Sequence, residues 1–208
     1  MERTGAYGAW QVSTPSRSPG RDRWIDAAID ALADGGLDAV AVELLGARLG
    51  VTKGSFYWHF RDRAALVSAV VDAYEERATD AHIRELGRVA DPRERLQQLF
   101  QVALSRPESL RAERALLTAQ DPLVTATIAR VHQKRRAFLE RCYRDLGLSP
   151  AESRHWAATA YAAFIGAVVL SQETPFGSAR AVSRWLTHFA ARLLPPSRPT
   201  PRPTAQPK

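Results

Sequence analysis

The chain has 208 residues, 45% of them hydrophobic, which is enough length and apolar content for one or two domains with a buried core. Its single cysteine, Cys142, excludes an internal disulfide and is typical of a protein in a reducing compartment. The net charge of +7 does not by itself indicate a nucleic-acid partner, because the excess of bases comes largely from the C-terminal half and tail.

The N-terminal segment and the longest apolar run both argue against a secreted or membrane protein. Residues 1–20 contain no apolar stretch of the kind that a secretory signal requires. The longest apolar run, Trp156 to Leu170, is shorter than the roughly 20 residues that span a bilayer. We therefore expect a cytoplasmic protein without a membrane partner, and we expect this run to form a packed helix.

The chain is predicted to begin with a disordered arm that leads into a first helix. Residues 1–17 are rich in Gly, Ser, Thr, Pro and Arg, a composition that predicts disorder. From Arg21 to Asp34 the apolar residues recur with the spacing of one buried helix face. Gly35 and Gly36 end this helix.

Two shorter helices follow, joined by a glycine turn. The first is predicted from Val42 to Leu49, and Gly50 suits the left-handed residue that ends it. The second occupies Val51 to Phe60, and its Phe56 lies four residues before the terminal phenylalanine, so that both rings share one face. Two short helices joined by a turn that contains glycine form a helix-turn-helix unit, here about residues 41–60.

The second of these helices has two interpretations. Its apolar side fits a small core and its polar side offers hydrogen-bond donors, which suits a helix that lies in the major groove of DNA. It also suits an amphipathic helix with a solvated face. Charge is focused here: residues 44–63 carry four bases and one acid, although residues 18–78 as a whole carry seven bases and ten acids.

The rest of the chain is predicted to be helical, with no segment that competes as a strand. A fourth helix, Ala64 to Ala78, is capped by Asp62. Five further helices span about residues 92–104, 108–118, 122–146, 149–172 and 178–194. Residues 195–208 contain six prolines and are predicted to be a disordered tail. The fold class is therefore all-α, with about nine helices.

Residue type and spacing over positions 18–78 match a known family. The matching residues are Ala28, Gly36, Leu45, Gly50-Val51-Thr52, Lys53-Gly54, Phe56-Tyr57, Phe60 and Leu66. In these residues the chain resembles the DNA-binding domain of the tetracycline-repressor (TetR) family of bacterial transcription regulators. The resemblance implies a helix-turn-helix DNA-binding domain at residues 18–78 and a C-terminal ligand-binding and dimerisation domain at residues 79–194.

The predicted contacts with a double-stranded DNA operator follow from chemistry and from the resemblance together. Thr52 would cap the recognition helix, residues 51–60, and offer its hydroxyl to a phosphate. Lys53 would contact a guanine edge or a phosphate, and the resemblance assigns a phosphate to Arg63. The full set is Glu43, Arg48, Thr52, Lys53, Gly54, Ser55, Tyr57, Trp58, His59 and Arg63.

Two of these residues keep an open alternative. Glu43 either stabilises the N-terminus of the second helix or accepts a hydrogen bond from cytosine N4. Trp58 contacts the groove, packs against the first helix, or does both, and we favour the mixed role.

The resemblance also implies a small-molecule effector and a homodimer in the C-terminal half, with the dimer built as a four-helix bundle from the last two helices of each subunit. The alternative, which the residue types favour for each pocket candidate, is ordinary core, and the last two helices could likewise fill the core of the monomer. The candidates for the ligand pocket are Phe100, Leu104, Leu116, His132, Phe138, Trp156, Tyr161 and Phe164. The candidates for the dimer interface are Tyr161, Ile165, Val168, Trp185, Leu186 and Phe189.

No motif favours an enzyme. The chain has no G-x-S-x-G, no glycine-rich phosphate loop and no H-E-x-x-H, and its histidines lack metal-site spacing, so we predict no catalytic residue, metal or cofactor. The predicted function is a ligand-responsive repressor that binds a palindromic operator as a homodimer. The alternative is a small-molecule-sensing dimer that has lost or weakened DNA binding, because Ala41 and Val42 lack the hydroxyls usual in the family and residues 18–78 are net acidic.

Overall fold

The computed structural model describes residues 20–104, 107–170, 188 and 190–196, which contain no β-strand. Leu37–Ala39 forms a 3-10 turn and Glu76–Asp80 forms a π turn. The α-helices of the described residues are α1 Arg21–Gly35, α2 Val42–Leu49, α3 Lys53–Tyr57, α4 Arg63–Glu75, α5 Ala81–Leu86, α6 Pro92–Leu104, α7 Pro107–Thr118, α8 Pro122–Asp145 and α9 Pro150–Leu170.

The predicted all-α fold class is confirmed, and most predicted helices are found close to their predicted ends. The sequence does not predict α5, because six residues are too few to show a helical period. The predicted arm at residues 1–17 lies outside the described residues, as do most of the predicted helix at 178–194 and most of the tail at 195–208.

Helix ends follow the local chemistry of the sequence. The Asp62 carboxylate accepts a hydrogen bond from the Ala65 amide at 2.7 Å and so caps α4 as predicted. At α9, the Ser149 amide donates to Glu152 Oε2 at 2.9 Å and the Glu152 amide donates to Ser149 Oγ at 3.3 Å. This reciprocal pair is a capping box, so the predicted start of α9 is confirmed.

The chain forms two compact units. Unit 1 comprises the described residues up to Arg84 together with Pro107–Arg135, and unit 2 comprises Glu85–Arg106 together with the described residues from Arg136 onward. In unit 1, α1 packs against α2, α4 and α7 around one hydrophobic core. The predicted division of roles between residues 18–78 and 79–194 is not tested by these units and stays a prediction.

In unit 2 a buried tyrosine holds the C-terminal segment. Tyr143 is fully buried and its hydroxyl donates to the Leu193 carbonyl at 2.8 Å. Burial raises the pKa of the Tyr143 phenol, so it remains a neutral donor. The Arg93 guanidinium donates to the Pro195 carbonyl at 2.7 Å, which gives the same segment a second attachment.

Arg135 is the centre of a polar cluster inside unit 1. Its guanidinium donates to the Glu113 carboxylate of α7 at 2.8 Å. It also donates to Thr79 Oγ1 at 3.0 Å and to the Tyr74 hydroxyl at 3.1 Å. The Glu113 side chain is only 4% exposed, so this charge is held in the interior by its partner.

Glu75, at the end of α4, extends the cluster. It accepts from Arg130 at 2.9 Å and pairs with Lys134 at 3.0 Å, and Lys134 also binds Asp80 at 2.6 Å. Burial opposes ionisation of Glu75, but the hydrogen bonds from Arg130 and Lys134 outweigh it and lower the pKa of its carboxyl. These contacts attach the end of α4 and the π turn to α8.

We expect Arg135→Met to destabilise the protein by about 3–5 kcal/mol, because it leaves the Glu113 carboxylate buried without its partner. Adding Glu113→Leu should recover most of that loss. The measurement is denaturant unfolding followed by circular dichroism. Arg136→Met, at an exposed neighbouring position, should change the free energy of unfolding by less than about 0.5 kcal/mol. Equal losses for Arg135→Met and Arg136→Met would contradict this account.

Candidate DNA-binding surface

The helix-turn-helix is shaped by a glycine at the end of α2. Gly50 has φ 66° and ψ 33°, the left-handed conformation that the sequence predicts there. Its amide donates to the Ala47 carbonyl at 3.2 Å, and the Val51 amide donates to the Gly46 carbonyl at 3.0 Å. These bonds satisfy the last carbonyls of α2 and aim the chain into α3. The two helices and their turn therefore form the predicted helix-turn-helix.

Two phenylalanine rings anchor α3 to the core of unit 1. Phe56 is fully buried, Phe60 is 3% exposed, and their ring centroids lie 5.5 Å apart. Trp24 of α1 meets Phe56 edge to face, with ring centroids 5.2 Å apart. The face that the two phenylalanines share is therefore the buried one, as predicted.

The opposite side of this segment is exposed. Trp58 is 88% exposed and Tyr57 is 55% exposed, while 54% of the Lys53 side chain is exposed. Ser55 and His59 are half-buried. A side chain as exposed as Trp58 is not packed on α1, so that part of its predicted role is not found, and its contact with a groove stays a prediction. Large aromatic side chains left in solvent commonly mark a binding surface.

Gly46 of α2 and Gly54 of α3 differ in how much space the fold leaves for a side chain. A Cβ on Gly46 would lie 3.2 Å from the Val51 carbonyl oxygen and 3.7 Å from the Trp24 ring, so α2 approaches its neighbours closely there. A Cβ on Gly54 would meet only Thr52 Oγ1, at an ordinary 3.7 Å. Nothing within the described residues therefore demands a glycine at position 54, although glycine costs about 1 kcal/mol in a helix relative to alanine.

The basic side chains on this surface form ion pairs with acidic side chains of the same unit. Lys53 forms an ion pair with Glu43 across the helix-turn-helix, and Arg48 lies 3.6 Å from Asp34 and 3.9 Å from Asp30. The hydrogen bond from Lys53 lowers the pKa of the Glu43 carboxyl, and the same bond raises the pKa of the Lys53 ammonium. The positive charge that the sequence places in residues 44–63 is thus largely balanced by nearby acids.

Arg63 is also engaged inside the protein. Its Nε donates to the Val40 carbonyl at 2.7 Å and its Nη2 donates to the Leu37 carbonyl at 2.5 Å. Arg63 therefore holds the segment that leads into α2. The phosphate contact that the sequence predicts for it stays a prediction. Arg61 Nε, by contrast, donates to the carboxylate of the neighbouring Asp62 at 3.0 Å.

The two helices begin without side-chain caps. Thr52 occupies the N-cap position of α3, but its side chain makes no capping hydrogen bond, so that part of its predicted role is wrong. The reason is local: the Ser55 amide donates to the Thr52 backbone carbonyl at 3.0 Å instead. Ala41, which has no hydroxyl, occupies the N-cap of α2. Thr52 is exposed, and the phosphate contact predicted for its hydroxyl stays a prediction.

The predicted ligand-pocket residues fall in both units. In unit 1, Leu116 belongs to the hydrophobic core and His132 is half-buried. In unit 2 the candidates are buried or half-buried: Phe100, Phe138, Trp156, Tyr161 and Phe164. The rings of Tyr161 and Phe164 stack with centroids 6.1 Å apart. The placement of the Leu104 side chain lies outside what is described, and a ligand cavity stays a prediction.

The predicted dimer residues are only partly within the described chain, because Trp185, Leu186 and Phe189 lie outside it. Of the others, Val168 is fully buried, Tyr161 is 7% exposed and Ile165 is half-buried. The exposed large hydrophobic residues of α9 are instead Val169 and Leu170, at 49% and 38%. The sequence does not single these two out, because the end of α9 is apolar all round and a helical period shows no preferred face.

The described residues contain no cluster of three or more side chains that could hold a metal ion. Over the same residues, no helix has both the length and the hydropathy to cross a bilayer. Cys142 is fully buried, and burial raises the pKa of its thiol to about 11. A buried neutral thiol is a poor nucleophile.

Comparison with known proteins places the helix-turn-helix in a family. A family model described as bacterial regulatory proteins, tetR family, matches residues 25–70. The tetracycline repressor protein class A from transposon 1721 of Escherichia coli is 43% identical over 49 residues, which cover 24% of this chain and 23% of that protein. The match thus spans about a quarter of that relative's length.

Solved structures extend the likeness of fold to most of the chain. A TetR transcriptional regulator from Legionella pneumophila has a TM-score of 0.73 at 14% identity, covering 86% of this chain and 98% of that one. A putative transcriptional regulator from Saccharomonospora viridis, solved in complex with choline, has a TM-score of 0.66 at 19% identity, covering 82% and 95%. The helix-turn-helix region of this chain, residues 25–70, therefore matches the tetR family of bacterial regulatory proteins.

Proposed function

We propose that this protein is a DNA-binding transcriptional regulator that acts as a ligand-responsive repressor and binds a palindromic operator as a homodimer. The observation that carries the proposal is the division of α3 and the residues after it into two sides. Phe56 is fully buried, whereas Tyr57 is 55% and Trp58 is 88% exposed beside Lys53. A short helix held from behind and exposed in front suits the major groove, which admits one α-helix.

The repressor role rests on geometry and occupancy. A homodimer presents two copies of α3 related by a twofold axis, and such a protein matches an operator with inverted half-sites. A dimer bound at a promoter blocks polymerase by occupying the site. The exposed apolar side chains of Val169 and Leu170 support a partner surface on α9.

The effector is proposed to be a small molecule that binds in the C-terminal half. The Saccharomonospora viridis regulator, which shares the fold, was solved in complex with choline, and this supports a small-molecule site in the same architecture. The buried aromatic side chains of unit 2, among them Phe100, Phe138 and Tyr161, suit an apolar or aromatic ligand.

The ion pairs of the basic surface side chains favour a second candidate, a small-molecule-sensing dimer with lost or weakened DNA binding. Lys53 is paired with Glu43, Arg48 lies beside Asp30 and Asp34, and α2 starts at Ala41 without a side-chain cap. Each of these features lowers the attraction to phosphates. The two candidates differ in whether the protein selects any DNA.

Selection of bound fragments from the source genome decides between them. We expect the full-length protein to enrich an inverted repeat. We also expect its affinity for that repeat to fall by about 100-fold or more between 50 and 200 mM salt, because phosphate contacts release counterions. Fluorescence anisotropy with the enriched fragment and a scrambled fragment gives both affinities. Failure to enrich any sequence would support the sensing dimer instead.

The glycine at position 54 provides a test that separates contact from folding. We expect Gly54→Ala to leave thermal stability unchanged or slightly raised, because its Cβ meets no close neighbour and alanine favours a helix. We expect it to weaken operator binding at least about tenfold, because the added methyl keeps the backbone away from the groove floor. Circular dichroism melts and anisotropy titrations measure the two effects.

Gly46→Ala is the matched control for this glycine. Its Cβ would be 3.2 Å from the Val51 carbonyl, which is held in place by the hydrogen bond from the Val51 amide to Gly46. We therefore expect the control to lower the melting temperature. Operator binding by Gly54→Ala equal to that of the natural protein would remove Gly54 from the contact surface.

A further inference from the structure

The ion pair between Glu43 and Lys53 connects the two helices of the helix-turn-helix at their N-terminal ends. Glu43 lies in the first turn of α2 and Lys53 is the first residue of α3. The two side chains are 65% and 54% exposed, so the pair lies on the surface and not in the core. Exposed pairs contribute only about 0–1 kcal/mol to stability, so folding alone gives little reason for this one.

A carboxylate on a surface that meets phosphates needs a compensating interaction. Glu43 alone would repel the DNA backbone, but its pairing with Lys53 makes the two side chains neutral together. A neutral pair gains nothing from counterion release, so its contribution to binding has to come from hydrogen bonds to bases.

The major-groove edge of a G·C base pair has groups that match this pair. Guanine presents acceptors at O6 and N7, and cytosine presents a donor at N4 next to O6. A lysine ammonium donates to the guanine acceptors, and a glutamate oxygen accepts from cytosine N4. An ammonium and a carboxylate already in contact can therefore face O6 and N4 of one base pair while keeping the hydrogen bond between them. In an A·T pair the thymine methyl lies beside the acceptor O4 and crowds the ammonium.

We propose that Glu43 and Lys53 together read one G·C base pair in each operator half-site, with Lys53 on guanine and Glu43 on cytosine. The assignment rests on the proposed function as a DNA-binding regulator. It makes Glu43 a residue that determines sequence specificity, a role beyond stabilising the N-terminus of α2.

The test is selection from randomised duplexes by the full-length natural protein and by Glu43→Gln and Lys53→Met, followed by anisotropy titrations on single base-pair variants of the enriched sequence. We expect both variants to lose the G·C preference at the same position of the half-site. Glu43→Gln should shift that position towards A·T, because a glutamine amide pairs with adenine N6 and N7. It should also steepen the salt dependence by about one unit per subunit, because Lys53 becomes free to bind a phosphate.

A matched control removes a similar ion pair away from α2 and α3. Glu76 of the π turn pairs with Arg84, with side chains 53% and 59% exposed. Glu76→Gln should leave the enriched sequence unchanged. Because Glu43 and Lys53 are exposed, their variants are expected to melt within a few degrees of the natural protein, which circular dichroism verifies.

Three results would overturn the assignment, and they differ from failure of the proposed function. The first is an enriched sequence that is identical for the natural protein, Glu43→Gln and Lys53→Met. The second is a loss of preference at two different positions for the two variants. The third is the same change in Glu76→Gln. If the natural protein itself enriches no sequence, the proposed function fails and the assignment fails with it.

Discussion

The burial of Phe56 is the interaction on which this surface depends. α3 has only five residues, and helices shorter than about 12–15 residues are marginal on their own in water. Its conformation is therefore imposed by packing, chiefly by Phe56, which meets Trp24 of α1 and stacks on Phe60. Burying such a ring contributes about 1.5–3 kcal/mol, and the same packing forces Tyr57 and Trp58 outward.

Those parts of the fold that depend on local chemistry could be predicted from the sequence. The left-handed residue at Gly50, the cap at Asp62 and the capping box at Ser149 each involve residues a few positions apart, and each is found. The buried side of residues 53–60 could be predicted for the same reason, because Phe60 follows Phe56 of α3 by four residues, a spacing that predicts both rings on one side. α5 and the π turn after α4 could not, because a short segment carries no periodic signal.

The partners of the charged residues could not be predicted, since they depend on how the helices pack. A count of bases in residues 44–63 treats each as free, whereas Lys53 is paired with Glu43, ten positions away in the sequence. Arg63 donates to the carbonyls of Leu37 and Val40, which are more than twenty residues earlier. A long charged side chain can reach several neighbours, and the fold of the chain determines which neighbours lie within its reach. The number of basic residues in 44–63 therefore overstates the positive potential that a DNA phosphate would meet at this surface.

The ion pairs of unit 1 divide into two kinds by exposure, and the difference bears on recognition. Breaking the pair between Arg135 and Glu113 would leave the Glu113 carboxylate buried without a partner, because its side chain is only 4% exposed. This pair is therefore confined to one arrangement. The pair between Glu43 and Lys53 is more than half exposed on both sides, so water or a base edge can replace either partner at small cost. Interior charges therefore hold α4 against α7 and α8, while surface charges can exchange protein partners for DNA.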